Sequence, residues 1–446
     1  MRRTLLMHGE ADYGSPKCFH LLHNEQGHTI EYLHTTEINF MPGPLEGYRI
    51  IDFTNVIAGP YATMILADQG ADVIKIEAPQ RPDHTRHAGN SHKGLRAAFL
   101  NNNRNKRSVV IDVKAEVGRE VLKKLVTTAD VFIQNFRPGV VERLGIGEPE
   151  LRAIKSDLIY VSMSGWGEHG PFAHKPVYDP IIQALSGLAT IQAGSDKERP
   201  RLIRTILPDK LTGMTAAQAV TSALAGRAQS GKGQHVKVSM LDSIIAFLWS
   251  SDMGGQTFVE NEVSIQKAAT FIDLIYETKT DYITVSTMTN DQWSSFCKAA
   301  NREHLLKDER FKTPALRDEN ADERLNLIQE ALLERNSDEW LKILEDAGVP
   351  SAPVLTRRQM IDHPQVQASG IVIEHDHPYA GKLRQARPAA RFEGTPTAIR
   401  HGAPLLGEHT YDLLGEVGYS GAEIEAMVES GALLAHKPDR STKVVQ

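Results

Sequence analysis

The sequence contains little cysteine, no long apolar segment and no surplus of basic residues. Only two of its 446 residues are cysteines, Cys18 and Cys297. This excludes a disulfide framework or a cysteine-rich zinc module and is typical of a reducing compartment. No stretch approaches the ~18 consecutive apolar residues of a membrane helix. Lys and Arg number 50 against 56 Asp and Glu, a net charge of −6, so the composition does not point to nucleic acid.

What is present is enough chain for a large core, and its length suggests two or three domains. Met1-Arg2-Arg3 is not followed by an apolar run of signal-peptide length, and Glu10 and Asp12 argue against a transit peptide. We therefore expect a cytoplasmic, enzyme-sized protein that binds neither membrane nor nucleic acid.

Residues 1–43 differ from the rest of the chain. They are polar, show no sustained period and hold His20, His23, His28 and His34. Zinc sites usually have tighter spacing or cysteine partners, so we predict no metal there. The segment is expected to be an ordered extension, with Met41 as an alternative start of the chain.

From residue 47 onward, short apolar strands alternate with helical segments. Strands are predicted at 49–53, 72–77, 108–113, 130–134, 157–162 and 235–239. Helices are predicted at 59–69, 115–127, 149–154, 210–227 and 241–250. This alternation is typical of βαβ units, so the fold class is α/β with a parallel sheet.

The second half of the chain indicates a smaller α/β or α+β unit. Clear periodicity is lost over 251–279, which marks a linker or domain crossing. A strand is then predicted at 281–286, helices at 290–300, 321–335 and 337–347, and two short helices near the end. His375 and His377 flank Asp376 in a charged run that we interpret as a solvated loop.

Common cofactor and nucleophile motifs are missing. The turn from Thr54 to Pro60 contains one glycine, whereas a dinucleotide fingerprint needs several, so NAD binding is disfavoured. The sequence has no P-loop, no Gly-x-Ser-x-Gly elbow and no His-Glu-x-x-His zinc motif.

Two polar segments flank the predicted strands. The run from Asn101 to Arg107 precedes the third strand, and Phe136-Arg137-Pro138-Gly139 follows the fourth. A charge run is usually a solvated face, but Lys and Arg at a strand end also suit phosphates. Ligands of α/β proteins bind beyond the carboxyl ends of parallel strands.

Seven segments carry a more specific signal because they occur in a fixed order. They are Leu45 to Pro60, Gly70 to Glu77, Asn103 to Ser108, Asn135 to Gly139, Ser164 to Gly167, Gly231 to Gln234, and Ala403 to Thr410. Together they resemble the class III CoA-transferase family, which includes formyl-CoA and carnitine CoA-transferases. Residues 1–43 lie outside this resemblance.

The resemblance implies a fold and an oligomer. The family has a Rossmann-like large domain and a smaller α/β domain, and two subunits interlock like links of a chain. Carried onto this sequence, the parts are an N-terminal extension (1–43), a large CoA-binding domain (44–250 plus 385–446), a linker (251–269), a small domain (270–370) and a return linker (371–384). A homodimer is the expected assembly.

The resemblance also assigns the catalytic residue. The family's nucleophile is an aspartate just before a Gly and an Ala-rich helix, and Asp209 stands at that position. An Asp at a helix start is also a standard N-cap, which is the structural alternative. Both roles suit a carboxylate that backbone N–H groups and the helix dipole keep ionised.

The resemblance and the charge pattern also suggest residues that bind CoA and the substrate. Those expected to contact CoA are Asn55, Val56, Ile57, Ala58, Asn135, Phe136 and Arg143 by resemblance, and Arg104 and Arg107 by charge alone. Those expected to line the substrate pocket are Tyr178 and Asp179. Coenzyme A is a co-substrate in the family, so no permanently bound cofactor and no metal are expected.

The implied reaction moves CoA from an acyl-CoA to a small carboxylic acid through an aspartyl anhydride and an aspartyl-CoA thioester. A sister branch racemises acyl-CoA with a His where Tyr178 stands, and a phenol of pKa ~10 is a poor base at neutral pH. This favours transfer over racemisation.

Formyl-CoA transferases have Gln and His where Ile57 and Asn55 stand, which argues against a formyl or oxalate substrate. A nucleotide-binding protein without catalysis is a further alternative, and the sequence does not choose the acid pair.

Overall fold

The computed structural model describes residues 21–23, 29–31, 43–194, 197–260 and 274–436. The first unit, residues 1–41, contains two antiparallel strands in its described part, β1 (Leu21–His23) and β2 (Thr29–Glu31). Cys18, His20, His28, His34 and Met41 lie outside the described residues, as does the segment 261–269 of the predicted linker.

The second unit, residues 42–446, is built on a mostly parallel sheet. Seven described strands form it: β3 (Arg49–Phe53), β4 (Asp72–Glu77), β7 (Lys106–Ile111), β8 (Val131–Gln134), β9 (Ile159–Ser164), β10 (His235–Ser239) and β16 (Leu433–Leu434). Their order is β10-β9-β8-β3-β4-β7-β16, and β16 alone of these pairs antiparallel. The expected α/β class with a parallel sheet is therefore confirmed.

Helices cover both faces of this sheet, which explains why its strands are nearly continuous apolar runs. In β3, Ile51 and Phe53 belong to one core and Ile50 to the other, because successive side chains point to opposite faces. The helices of the first 250 residues are α1 (Ala58–Asp68), α2 (Ala97–Asn103), α3 (Glu116–Val126), α4 (Val140–Arg143), α5 (Glu148–Ile154), α6 (Asp179–Leu185), α7 (Leu188–Ala193), α8 (Leu207–Ser230) and α9 (Met240–Trp249). A small hairpin, β5 (Ser91–His92) and β6 (Leu95–Arg96), precedes α2.

A separate apolar core lies in residues 274–349. It is centred on Trp293, Phe296 and Trp340, with Cys297 buried beside them. Its antiparallel strands are β11 (Ile275–Glu277), β12 (Tyr282–Val285) and β13 (Ser351–Pro353). Its helices are α10 (Asn290–Ala299), α11 (Pro314–Glu319), α12 (Ala321–Leu332) and α13 (Ser337–Asp346). The domain boundaries proposed from the sequence stay a prediction.

The chain then returns to the large sheet. The elements are α14 (Arg357–Asp362), α15 (Pro364–Ser369), the hairpin β14 (Val372–His377) and β15 (Gly381–Ala386), and the helices α16 (Thr410–Glu416) and α17 (Gly421–Glu429). Leu413, Leu414, Ile424 and Met427 pack into the core on the Ile51 face of the sheet.

Two local predictions were wrong. The run 375–377 is not a solvated loop but part of β14, where buried His377 hydrogen-bonds the carbonyl of Ala403. The polar run 101–107 is not a solvated face: Asn101 to Asn103 end α2, β7 begins at Lys106, and residues 103–106 are buried. In both segments tertiary contacts override the polar composition.

Candidate active site

A cavity of about 220 Å³ opens beyond the carboxyl ends of β3 and β8. The chain runs from β3 toward one edge of the sheet and from β8 toward the other, so the strand order reverses between them. Ligands bind at such a switch point in open α/β sheets. The lining residues include Asn55, Val56, Ala58, Asn135, Phe136, Arg137, Met163, Ser164, Gly165, Trp166, Lys175, Val177, Tyr178, Asp209, Thr212 and Met240.

The loop after β3 forms one wall of the cavity and is held in an unusual conformation. Val56 has a φ of 71°, which is costly for a β-branched residue and persists only where the surroundings impose it. Asn55 and Asn135 impose part of it: the Asn55 N–H donates to Asn135 Oδ1 at 2.9 Å, and Asn135 Nδ2 donates back to the Asn55 carbonyl at 2.8 Å. The two loops of the switch point are thereby joined.

Buried charges beneath the loop hold it from below. Asp83 Oδ1 accepts the Val56 N–H at 3.3 Å, and Asp83 Oδ2 accepts from Lys75 Nζ at 2.9 Å. Lys75 also donates to the Thr54 carbonyl at 3.0 Å. Burial alone would raise the pKa of Asp83, but the Lys75 ammonium and the Thr85 hydrogen bonds lower it to about 2. The loop is therefore tied to a fully ionised pair.

A second buried pair lies alongside. Lys106 Nζ donates to Asp52 Oδ2 at 3.0 Å, and both side chains are fully buried. Burial lowers the pKa of Lys106 to about 8 against the opposing effect of Asp52. Lys106, which belongs to the polar run singled out in the sequence, therefore has a structural ion-pair role.

Asp209 lies in the cavity wall in the first turn of α8. It is not the N-cap: the cap residue is Ile206, which has no side-chain acceptor. The acceptor comes instead from α6, because the Asp209 N–H donates to Asp179 Oδ2 at 3.3 Å. The sequence alternative of an N-capping Asp209 is thus wrong, and its carboxylate is left for the cavity.

The surroundings of Asp209 raise the pKa of its carboxyl group above the value in water. Burial raises the pKa of Asp209 to about 6, the neighbouring Asp179 carboxylate acts in the same direction, and a hydrogen bond from the Ala58 N–H opposes them. Ala58 is the first residue of α1, so its N–H has no acceptor within that helix. A carboxylate with this pKa is mostly ionised at neutral pH and still basic enough to attack a carbonyl.

Close packing of α8 on the start of α1 places Asp209 beside Ala58. Gly213, one turn after Asp209, allows it: a Cβ there would lie 2.7 Å from the Ala58 carbonyl oxygen and 2.9 Å from Tyr61 Cδ1. A side chain at this position would push the two helices apart.

We therefore expect Gly213→Ala to lower the activity of the site at least about tenfold, since misplacement by about 1 Å is enough for such a loss. Gly226→Ala, on the same helix, is the matched control because a Cβ there meets only Gln234 Nε2 at 3.9 Å. The free energy of unfolding of the control, measured in urea, should rise by up to about 1 kcal/mol, and its activity should be unchanged. Equal activity in the two variants would contradict the packing argument.

The structure brings most of the predicted contact residues to the cavity. Those in its wall are Asn55, Val56, Ala58, Asn135, Phe136, Tyr178 and Asp209. Tyr178 is 70% exposed, whereas Asp179 is 2% exposed and lies behind the wall against α8. Ile57 and Arg143 are not among the lining residues.

Arg104 and Arg107 do not face the cavity. Arg104 is buried and donates through Nε and Nη2 to Asp68. Arg107 pairs with Asp72 and Glu416 near the opposite ends of the strands. Their charges are already neutralised, so their selection as phosphate candidates by charge alone is not supported.

Sequence reasoning missed the cations that do line the cavity, Arg137 and Lys175. Arg137 is exposed and Lys175 Nζ lies 3.5 Å from the centre of the Phe172 ring. Neither has a carboxylate partner within the part of the chain that the structure describes. Arg137 belongs to the polar segment 136–139 directly after β8, and this position at a strand end could have identified it as a binding residue.

The described residues contain neither a metal site nor a membrane-spanning helix. No group of three or more His, Cys, Asp or Glu could hold a metal ion among residues 43–194, 197–260 and 274–436. No described helix combines the length and apolarity that crossing a bilayer requires.

Comparison with known proteins decides the family. The model of CoA-transferase family III matches residues 45–410. The chain belongs to CoA-transferase family III. Among family members, succinyl-CoA:glutarate CoA-transferase of Mus musculus is 33% identical over 88% of this chain and 91% of its own length. Formyl-CoA:oxalate CoA-transferase of Escherichia coli is 30% identical over 88% of this chain and its full length.

The fold is shared with solved family structures. The crystal structure of a CAIB/BAIF family protein from Brucella suis superposes with a TM-score of 0.73 at 30% identity, covering 84% of this chain and all of that one. The resemblance stated from seven short segments is therefore confirmed, and the relatives named as CoA-transferases support transferase activity with CoA as a substrate.

Proposed function

We propose that the protein transfers CoA from an acyl-CoA to a carboxylic acid, with Asp209 as the nucleophile. The observation that carries this is the Asp209 carboxylate in the wall of the switch-point cavity, with a pKa of about 6 and a hydrogen bond from the Ala58 N–H. The relatives named for glutarate and oxalate support a small carboxylic acid as acceptor.

In the proposed reaction, an Asp209 oxygen attacks the thioester carbon, the C–S bond breaks, and CoA leaves as thiolate. The thiolate then attacks the aspartyl carbon of the mixed anhydride and releases the donor acid. The acceptor carboxylate attacks the aspartyl carbon of the aspartyl-CoA thioester, the C–S bond breaks, and a second mixed anhydride forms. The freed thiolate attacks the acceptor's acyl carbon in this anhydride, and the C–O bond to Asp209 breaks. No proton is gained or lost, so an ionised Asp209 is returned and no base is needed.

Main-chain N–H groups suit the charge that develops in these steps. Each attack makes an oxyanion, and preorganised N–H donors at helix N-termini stabilise such oxygens in a site shielded from water. The Ala58 N–H at the start of α1 is placed next to Asp209. Asp209 itself lies in the first turn of α8, where the helix dipole adds a partial positive charge.

CoA is proposed to bind along the loops of the switch point. Asn55, Val56, Asn135 and Phe136 form the wall of the cavity, and Arg137 is the exposed guanidinium beside them. Arg137 supplies positive charge for CoA phosphates in place of Arg104 and Arg107. The strand order supports the Rossmann-like description. From the switch point, β3, β4 and β7 follow one another toward one edge of the sheet, and β8, β9 and β10 follow one another toward the other edge.

The interlocked homodimer is likewise a proposal. Helices α6, α8 and α9 leave large apolar side chains exposed, among them Ile181, Leu185, Met214, Phe247 and Trp249. An apolar surface of this kind, next to a site, suits burial against a second subunit. The two cysteines of the chain suit a cytoplasmic location.

Trapping the covalent intermediate tests the proposed function. After mixing with a panel of acyl-CoAs, intact-mass spectrometry should show an adduct, and hydroxylamine should convert Asp209 to a hydroxamate that peptide mapping locates. The rate of adduct formation should rise with pH and level off above about 6, because Asp209 must be ionised to attack and its pKa is raised to about 6. An adduct on another residue would contradict the assignment. Cα deuterium exchange without an adduct would favour the racemase alternative.

A further inference from the structure

Two buried side chains on α6, outside the cavity wall, face the chain that leads into the nucleophile. Asp179 and Gln183 are one helical turn apart and each is 2% exposed. Gln183 Nε2 donates to Asp179 Oδ1 at 2.6 Å. Neither side chain is needed by the transfer chemistry itself, so their burial calls for another role.

Gln183 fixes the approach to α8. Its Oε1 accepts the Ile203 N–H at 2.9 Å, and its Nε2 also lies 3.3 Å from the Ile203 carbonyl and 3.4 Å from the Thr205 carbonyl. One amide thus contacts three main-chain groups of the segment 203–205. Lys210 Nζ donates to Thr205 Oγ1 at 2.8 Å and holds the same segment from α8.

Asp179 fixes the start of α8 itself. That helix has no side-chain cap of its own, and Pro208 in its first turn has no N–H to satisfy. The free donor is the Asp209 N–H, which Asp179 Oδ2 accepts at 3.3 Å. The main chain of the nucleophile is therefore held by a side chain of another helix.

We propose that Asp179 and Gln183 form a positioning clamp that orients Asp209 toward the cavity and tunes its charge. This inference rests on the proposed function, in which Asp209 is the nucleophile. The clamp acts through hydrogen bonds to residues 203–209 and through the negative charge of Asp179. It does not touch substrate, so both are positioning residues.

The electrostatic part of the clamp involves few groups. Asp179 faces Asp209 from α6, the Ala58 N–H faces it from α1, and Lys210 on α8 acts on Asp179. Burial raises the pKa of Asp179, opposed by Gln183 and the Asp209 N–H. Removing the Asp179 charge should lower the pKa of Asp209, because a neighbouring like charge disfavours the ionised form.

Two variants test the clamp. Asp179→Asn keeps one oxygen for the Asp209 N–H, but its NH2 group replaces the oxygen that accepts from Gln183 Nε2. It also removes the charge, so the pH midpoint of adduct formation should fall by about one unit. Gln183→Ala frees segment 203–205, so kcat should fall about tenfold or more with KM for the acyl-CoA changed less than about twofold. Asp242→Asn, in the exposed first turn of α9, and Gln192→Ala, exposed on α7, are matched controls.

The outcomes separate the clamp from the proposed function. A shifted midpoint in Asp179→Asn and a loss of kcat in Gln183→Ala, with controls like wild type and native circular dichroism spectra, support the clamp. If wild type forms the adduct on Asp209 but both variants behave like their controls, the clamp is overturned alone. If Asp209→Asn still forms the adduct, the proposed function fails first. A loss of kcat matched by an equal loss of folded protein also overturns the clamp, since it shows a merely structural role.

Discussion

Replacement of Asp209 by asparagine is expected to lower CoA transfer at least about a thousandfold. An amide is not a nucleophile toward a thioester, and loss of a covalent nucleophile typically removes most of the catalysis. The side chain keeps its shape, so the cavity and the contact of the Asp209 main chain with Asp179 should remain. The measurement is steady-state transfer between an acyl-CoA and a panel of carboxylic acids, followed by chromatography of the CoA esters.

Asp209→Ala should accompany this variant because slow deamidation of asparagine would restore the nucleophile. Asp242→Asn is the control, since Asp242 also lies in the first turn of a helix but is exposed and outside the cavity wall. Activity of Asp209→Ala above a thousandth of wild type would contradict the assignment.

The same substitution should stabilise the fold above pH 6. In the folded chain the pKa of Asp209 is raised from 3.8 to about 6, so ionisation costs folded-state stability as pH rises through this interval. Asparagine avoids the cost, which after allowance for partial exposure is about 1–2 kcal/mol. In urea unfolding at pH 8, Asp209→Asn should therefore have a higher free energy of unfolding than wild type. At pH 4 the two free energies should be equal.

Asp83→Ala is expected to cost about 3–5 kcal/mol of stability, because removal of one partner leaves a buried charge uncompensated. Asp83 and Lys75 are both fully buried and 2.9 Å apart. The substitution also removes the acceptor of the Val56 N–H, so the loop loses the contact that holds its positive φ. Urea unfolding at pH 7.5 gives the stability change, and the KM for acyl-CoA should rise.

Asp346→Ala is a suitable control for this prediction. Lys342 and Asp346 form an exposed ion pair with 77% and 67% of their side chains accessible. Such pairs contribute about 0–1 kcal/mol. Equal losses in the two variants would contradict the argument, and Asp83→Asn supplies a milder test if the alanine variant does not fold.

Periodicity was enough to predict the six parallel strands of the large sheet in chain order, but it missed the antiparallel strand β16 and several helices, among them α2 and α6. The predicted strand 235–239 matches β10 residue for residue, and the helix predicted at 210–227 is the middle of α8. What it could not predict were the ends of elements that depend on distant contacts. The first turn of α8 contains Pro208, which favours a helix start, but it has no capping residue of its own, so the local signal is incomplete.

From the residue pattern alone the site was predictable only where a strand end marks it, whereas Tyr178 and Asp209 were found through the family resemblance. Asn55, Asn135 and Phe136 follow β3 and β8 directly, and the parallel sheet brings them together. Arg104 was chosen by charge, but its partner Asp68 is 36 residues away in α1, and such pairing leaves no local pattern. The role of Asp179 depends on the packing of α6 against α8, and the spacing of residues along the sequence does not indicate that packing.

The return of the chain to its large sheet has a consequence for synthesis on the ribosome. The core on the Ile51 face includes Leu413, Ile424 and Leu433, and β16 pairs with β7 at the edge of the sheet. Helices α3 and α5 cover part of that face, and the rest stays uncovered until almost the whole chain has emerged. We therefore expect chaperones to bind the uncovered apolar strands of the nascent chain. Chains truncated before residue 413 should accumulate as aggregates rather than as shorter folded proteins.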